Sequence, residues 1–124
     1  MKELLTQEKS IYIQIKEKIE NDILRDIILE EEKVRSTNEL AKIYTINPAT
    51  AAKGINLLVD EGILYKKRGI GMFVADGAKQ MIVSKRKKSF YDTYIKSLLQ
   101  EAEGLGITKQ EVIAMIQDGH EGGK

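Results

Sequence analysis

The 124-residue chain predicts an α+β fold that is mainly α, and three observations carry that expectation. Two short helices open in succession, at Ser36-Thr37-Asn38-Glu39 and at Asn47-Pro48. A β-prone stretch, Arg68-Gly69-Ile70-Gly71-Met72-Phe73-Val74, follows shortly after Gly62. Behind it, apolar residues recur at helical spacing almost to the end of the chain.

The elements follow in order. Ile11, Ile15, Ile19 and Ile23 recur every fourth residue and predict an amphipathic helix over residues 10–24, with Lys16, Glu17, Lys18 and Glu20 mostly facing water. After a charged stretch at 30–33, the Ser36 hydroxyl can accept from the backbone N–H three residues on while Glu39 reaches back, a capping box that starts a second helix with Leu40 and Ile43 inward. Asn47 is a good N-cap and Pro48 suits a first turn, so a third helix begins there after a tight turn at 44–47. In it Ala51, Ile55 and Leu58 share one face, which leaves Ala49, Thr50, Ala52, Lys53 and Asn56 on a small, polar opposite face suited to a groove. Gly54 costs about 1 kcal/mol relative to alanine inside a helix, which points to close approach of a neighbouring helix.

Gly62 caps the third helix, and residues 63–67 and 72–75 flank Arg68-Gly69-Ile70-Gly71 as the arms of a hairpin. From 76 to about 103 the chain turns helical, with Tyr91, Tyr94, Ile95, Leu98 and Ala102 at spacings of three and four. Gly104 and Gly106 break that helix. Thr108-Lys109-Gln110-Glu111 forms a second capping box, opening a last helix with Val112, Ile113 and Ile116 on its apolar side, and the tail from Gly119 is expected to fray.

Charge is unevenly distributed. Lys and Arg stand against Asp and Glu as 9 to 12 over residues 1–64, 8 to 1 over 65–90 and 3 to 6 over 91–124, although the whole chain carries only +1. A local excess of this kind points to a polyanionic partner, because phosphate contacts and counterion release act over about 10 Å. With no cysteine, disulfides and thiolate metal sites are excluded. His120 has no second histidine or cysteine at metal-ligand spacing, the carboxylates form no catalytic pair, and Gly69-Ile70-Gly71 lacks the further glycine and helix of a dinucleotide site. No metal, no cofactor and no enzyme activity are expected. Without a signal-peptide pattern or an apolar run near the roughly 20 residues that span a bilayer, a cytoplasmic protein with no membrane partner is expected.

Helix, helix, turn, helix, hairpin is the order of a winged helix-turn-helix, whose second paired helix enters the major groove of DNA. Residues 11–74 resemble the DNA-binding domain of the GntR family of bacterial transcription regulators. The matching pieces are Ile11-Tyr12-Ile13-Gln14-Ile15, Asn38-Glu39-Leu40-Ala41, Ile46-Asn47-Pro48-Ala49-Thr50, Lys53, Glu61-Gly62 and the stretch from Arg68 to Val74. The short tail, with Leu105-Gly106-Ile107 between its helices, is similar to that of the YtrA-type subfamily. The resemblance implies a homodimer held by the tail, no large effector domain, and repression, often of a transporter operon. Residues 1–75 are then the DNA-binding domain and 76–124 the dimerisation region, with Tyr91, Tyr94, Ile95, Leu98, Ala102, Ile113 and Ile116 as its apolar contacts. The tyrosine hydroxyls could line a cleft for a small-molecule effector, which the sequence does not identify.

The resemblance also implies a DNA-contacting set. Thr50, Lys53 and Asn56 reach bases or phosphates, Ala49 and Ala52 meet thymine methyls, and Asn47 and Ser36 stand at the helix starts. Lys67 and Arg68 lie along the backbone, while Gly69 and Gly71 let the tip approach the minor groove. The family usually shows Leu-Pro-Ser and then a phosphate-contacting arginine where this chain has Val34-Arg35-Ser36 and Asn38; Arg35 is the candidate substitute, and Asn38 can bond a phosphate without charge. Ala51 and Gly54 stand where Val and Ala are common. The run Lys85-Arg86-Lys87-Lys88 reads as either a solvated helix face or a phosphate contact. Two other readings stay open: an architectural or weakly specific DNA binder, and a winged helix that docks a protein.

Overall fold

The computed structural model describes residues 10–119. Its elements are α1 (Ile11–Leu24), α2 (Thr37–Tyr44), α3 (Pro48–Asp60), β1 (Leu64–Lys67), β2 (Gly71–Val74), α4 (Ala78–Phe90), a π-helical stretch (Tyr91–Ile95), α5 (Lys96–Gly104) and α6 (Lys109–Asp118). The fold is therefore mainly helical with a small antiparallel sheet, as the sequence predicts. Contacts divide it into two compact units, Met1–Ser84 and Lys85–Lys124.

In the first unit α3 is the central element, packing against α1, α2 and β1. Its buried stripe of Ala51, Ile55 and Leu58 meets Ile15, Ile19 and Ile23 of α1, Leu40 of α2, Val34, and Ile63, Leu64 and Val74 of the hairpin in one core. Each fully buried aliphatic side chain of this kind contributes about 1.5–3 kcal/mol. Gly54 allows the close approach of α1: a Cβ there would lie 2.7 Å from the Tyr12 carbonyl oxygen and 3.1 Å from the Ile15 Cβ. Gly62, at φ +80°, takes the left-handed conformation that ends α3 and turns the chain into β1.

The hairpin pairs Leu64 with Val74, Tyr65 with Phe73, Lys66 with Met72 and Lys67 with Gly71. An isolated β-bridge that the sequence reading missed adds to the other side of β2. Lys33 bridges Phe73 antiparallel, with the Val34 N–H donating to Met72 at 2.9 Å and the Val74 N–H to Glu32 at 2.9 Å. β2 is thus hydrogen-bonded on both sides. Ala78 and Ile82 of α4 are fully buried and join the same core. The start of α4 is held by Glu30, whose carboxylate accepts from the backbone N–H groups of Gly77 at 3.0 Å and Lys79 at 3.2 Å. Those two bonds, first Gly77 and then Lys79, lower the pKa of Glu30.

Two expectations need correcting. Glu20 does not face water: it is 2% exposed, beside Lys16, whose ammonium lies 3.7 Å from it and 3.1 Å from Glu61 at the end of α3. Helix α1 packs against α3 on a wider face than its four isoleucines mark, so a position next to the stripe is covered as well. Ile43, expected inward, is 47% exposed, because the two turns of α2 bury only Leu40 and Ala41.

In the second unit the helix that the sequence drew without interruption widens at Tyr91–Ile95, where the Lys96 N–H reaches back five residues to the Tyr91 carbonyl. α5 ends at Gly104, the Ile107 N–H returns to Ala102 at 2.8 Å, and the Thr108 hydroxyl accepts from Glu111 N–H at 3.1 Å while Glu111 accepts from Thr108 N–H at 2.8 Å. α5 packs on α6. Ala102 is buried, but Tyr91, Tyr94, Leu98, Ile113 and Ile116 are all exposed, as are Phe90, Leu105 and Met115. Ile95 is half-buried.

Candidate nucleic-acid interface

The exposed side of α3 is built by its buried side. With Ala51, Gly54, Ile55 and Leu58 turned into the core, the helical period leaves Ala49, Lys53 and Asn56 exposed and Thr50 and Ala52 half-exposed. The Asn47 side chain accepts from the Ala49 N–H at 2.7 Å, Pro48 needs no donor, and no acidic residue stands in the first turn. A helix start with no carboxylate near it presents the positive end of its dipole to an incoming anion.

Arg35, Ser36 and Asn38 are exposed around the start of α2. The Ser36 hydroxyl accepts from the Glu39 N–H at 3.0 Å and the Glu39 carboxylate accepts from the Ser36 N–H at 2.7 Å, so both side chains fix the helix start. The Ser36 N–H is the main reason that the Glu39 pKa is lowered, with Arg35 and Lys33 adding to it electrostatically. The turn that joins α2 to α3 places Thr45 in the left-handed region at φ 55°, and the Ile46 N–H returns to Ala41 at 2.9 Å.

At the hairpin tip Lys66, Lys67, Arg68 and Gly69 are exposed. Gly71, at φ +146°, is a second position that favours glycine, because an L side chain would be strained at that φ; the Lys33 side chain lies beside it, 2.7 Å from where a Cβ would stand. The Lys67 ammonium lies 4.3 Å from the centre of the Phe73 ring. Lys87 and Lys88 are exposed in the last turn of α4, while Lys85 and Arg86 are half-buried; all four belong to the second unit. His120 lies outside the described residues.

Sequence reasoning missed two residues that touch the candidate set. Lys33, read only as part of a charged stretch, runs along the sheet and lays its side chain against the hairpin at Gly71. Tyr12, quoted only as part of a motif, carries the Lys53 ammonium 4.1 Å from its ring centre. The Lys33-Val34-Arg35 alternation, with the middle residue buried, was a usable strand signal; nothing local marks Tyr12 as the partner of Lys53.

A family model, that of the bacterial regulatory proteins of the gntR family, matches residues 11–74. The chain belongs to the GntR family. Over 108 residues it is 31% identical to the HTH-type transcriptional repressor YtrA of Bacillus subtilis, covering 87% of this chain and 82% of that one. With the arabinose metabolism transcriptional repressor of Halalkalibacterium halodurans it shares 42% over 66 residues, which is 53% of this chain but spans only 18% of that repressor's length. Among solved structures, a GntR-family regulator from Bacteroides thetaiotaomicron is 36% identical and superposes with a TM-score of 0.69 over 87% of this chain and 94% of that one. The DNA-binding domain of AraR, solved in complex with operator ORE1, is 34% identical with a TM-score of 0.57, covering 60% of this chain and all (100%) of that one. As a GntR-family member the chain is a DNA-binding transcription regulator and not an enzyme. None of its described helices is long and apolar enough to cross a membrane.

Proposed function

We propose that this GntR-family chain is a homodimeric repressor that reads an inverted-repeat operator in double-stranded DNA. The observation that carries the reading is the exposed face of α3, where Thr50, Lys53 and Asn56 stand over a helix fixed on its other side by the core. In the proposed complex these three residues meet base edges or phosphates, with Ala49 and Ala52 beside thymine methyls. Arg35, Ser36, Asn38 and Asn47 hold the phosphate backbone at the starts of α2 and α3, and Lys67, Arg68, Gly69 and Gly71 follow the neighbouring groove. The solved AraR domain with its operator supports DNA as the ligand.

Dimerisation is supported by the second unit. Tyr91, Tyr94, Leu98, Ile113 and Ile116 expose more apolar surface than so short a segment can leave in water without cost, and Ile95 and Ala102 continue the series. A symmetric pair of such segments covers both copies at once. A dimer seated on a promoter blocks polymerase, which makes repression the simplest mechanism; the resemblance to YtrA-type regulators points to a transporter operon and to the cytoplasm.

In vitro selection from a random duplex library at near-physiological salt tests the reading. The expected product is an inverted repeat with half-site centres about 10 base pairs, or a multiple, apart. Retention that fades with salt and enriches nothing would replace the specific reader with an architectural binder, and no retention at any salt would make this a protein-docking module.

A further inference from the structure

The N-terminal unit holds a second feature apart from α3 and the hairpin tip: a cavity of about 530 Å³ between the second half of α1, residues 27–35 and α2, open to solvent on one side. Its aliphatic lining includes the buried Ile19 and Leu40, and at its rim Ile27 and Ile43 are 63% and 47% exposed. Large aliphatic side chains left in water around one concavity mark a surface that gains by being covered. The size falls in the range of about 300–1,000 Å³ in which small organic ligands are held. Lining charges are Lys18, Asp22 and Arg35. Lys18 and Asp22 pair with each other at 3.3 Å, so Arg35 leaves the cavity with a net positive charge.

We propose that this cavity binds a small amphipathic carboxylate, its aliphatic chain lying over Ile19, Ile27, Leu40 and Ile43 and its carboxylate taken by the Arg35 guanidinium. An apolar floor whose one lining charge beyond the Lys18–Asp22 pair is the Arg35 cation selects that chemistry over a neutral or cationic molecule of the same length. Arg35 also immediately precedes Ser36, which caps α2. A guanidinium engaged by a ligand carboxylate is lost to a DNA phosphate, so ligand and DNA oppose one another by linkage. That antagonism rests on the DNA-binding reading above; the ligand site does not.

The test titrates the isotope-labelled full chain, without DNA, with octanoate, octanol and octylammonium, following backbone amide shifts. Octanoate is expected to give saturable shifts confined to residues 18–44 and to bind several-fold more tightly than octanol. The exposed site allows Arg35→Gln without disturbing the core, and this variant should weaken octanoate by about tenfold or more while leaving octanol unchanged, as expected for losing a charge-assisted hydrogen bond. Ile43→Asn should weaken both. Shifts that do not saturate, shifts centred on residues 85–119, or equal binding of octanoate and octanol with no response to Arg35→Gln would each overturn the site. Adding the selected duplex then reads the coupling: octanoate should release it. Failure of the titration alongside a successful selection removes the ligand site and leaves the DNA reading standing; binding without release removes only the antagonism.

Discussion

The carbonyl oxygen of Tyr12 stands 2.7 Å from the position that a Cβ on Gly54 would occupy, so α1 and α3 meet at a distance only glycine permits. An alanine gains about 1 kcal/mol in helix propensity, but the obstacle is backbone and cannot rotate aside. Overpacking of this kind costs about 1–3 kcal/mol. Gly54→Ala is therefore expected to lower the urea midpoint, with a net loss of up to about 2 kcal/mol; a raised midpoint would show that α1 shifts freely.

Lys53 is held over the Tyr12 ring at 4.1 Å, which gives the exposed face of α3 a preset lysine. If Lys53 meets base edges, Lys53→Ala costs about 1–3 kcal/mol on the selected operator and flattens discrimination among its single-base variants. If it meets only phosphate, affinity falls equally on every duplex and the salt slope drops by about one. The expected result is the first. Competition binding against a panel of point-substituted operators separates the two.

Acid should loosen the start of α4. The Glu30 carboxylate is held below its ordinary value of 4.5 by the N–H groups of Gly77 and Lys79. The sign follows from linkage: the folded-state pKa lies below the unfolded one, so the contribution is complete above about 4.5 and disappears as pH falls through the lowered folded value. Glu30→Gln keeps one acceptor of two and loses the charge. Its melting temperature should lie below that of the parent at pH 7, and the gap should close as pH falls through the lowered folded-state value; a gap independent of pH would assign the effect to packing.

Leu98 is 41% exposed within a single chain, so its replacement by glutamate leaves the fold of that chain intact. Sedimentation is expected to show a dimer for the parent and a monomer for Leu98→Glu, with unchanged helical content by circular dichroism. A parent that sediments as a monomer at tens of micromolar, at least a thousandfold above typical specific DNA affinities of about 10⁻⁸ M or tighter, would remove the dimer from the proposal.

What could be read from the residues was whatever local chemistry decides. Asn47-Pro48, the Ser36 and Thr108 capping boxes and Gly62 each set a boundary through bonds to their own neighbours, and the structure has all four in those roles. Gly54 was legible because a glycine inside a helix has a cost that a close neighbour must explain. The partners across long sequence separations were not. Lys33 joins the sheet through Phe73, 40 positions away, and Glu30 becomes a cap through Gly77; the alternation around Lys33 signals an extended segment, but nothing near either residue names its partner. Glu20 and Ile43 were misplaced for one reason. A periodic pattern marks the centre of a buried face, while its edges depend on how widely the neighbouring helix covers it.

The bridge at Lys33 has a bearing on how copies of this chain meet. With β2 enclosed between β1 and residues 32–34, the hairpin offers β1 as its outer strand, and there Lys66 and Lys67 are exposed. Charged lysines on a short strand oppose the edge-to-edge addition through which small sheets polymerise. A regulator concentrated at its target is thereby guarded at that strand against growing into a β-linked aggregate.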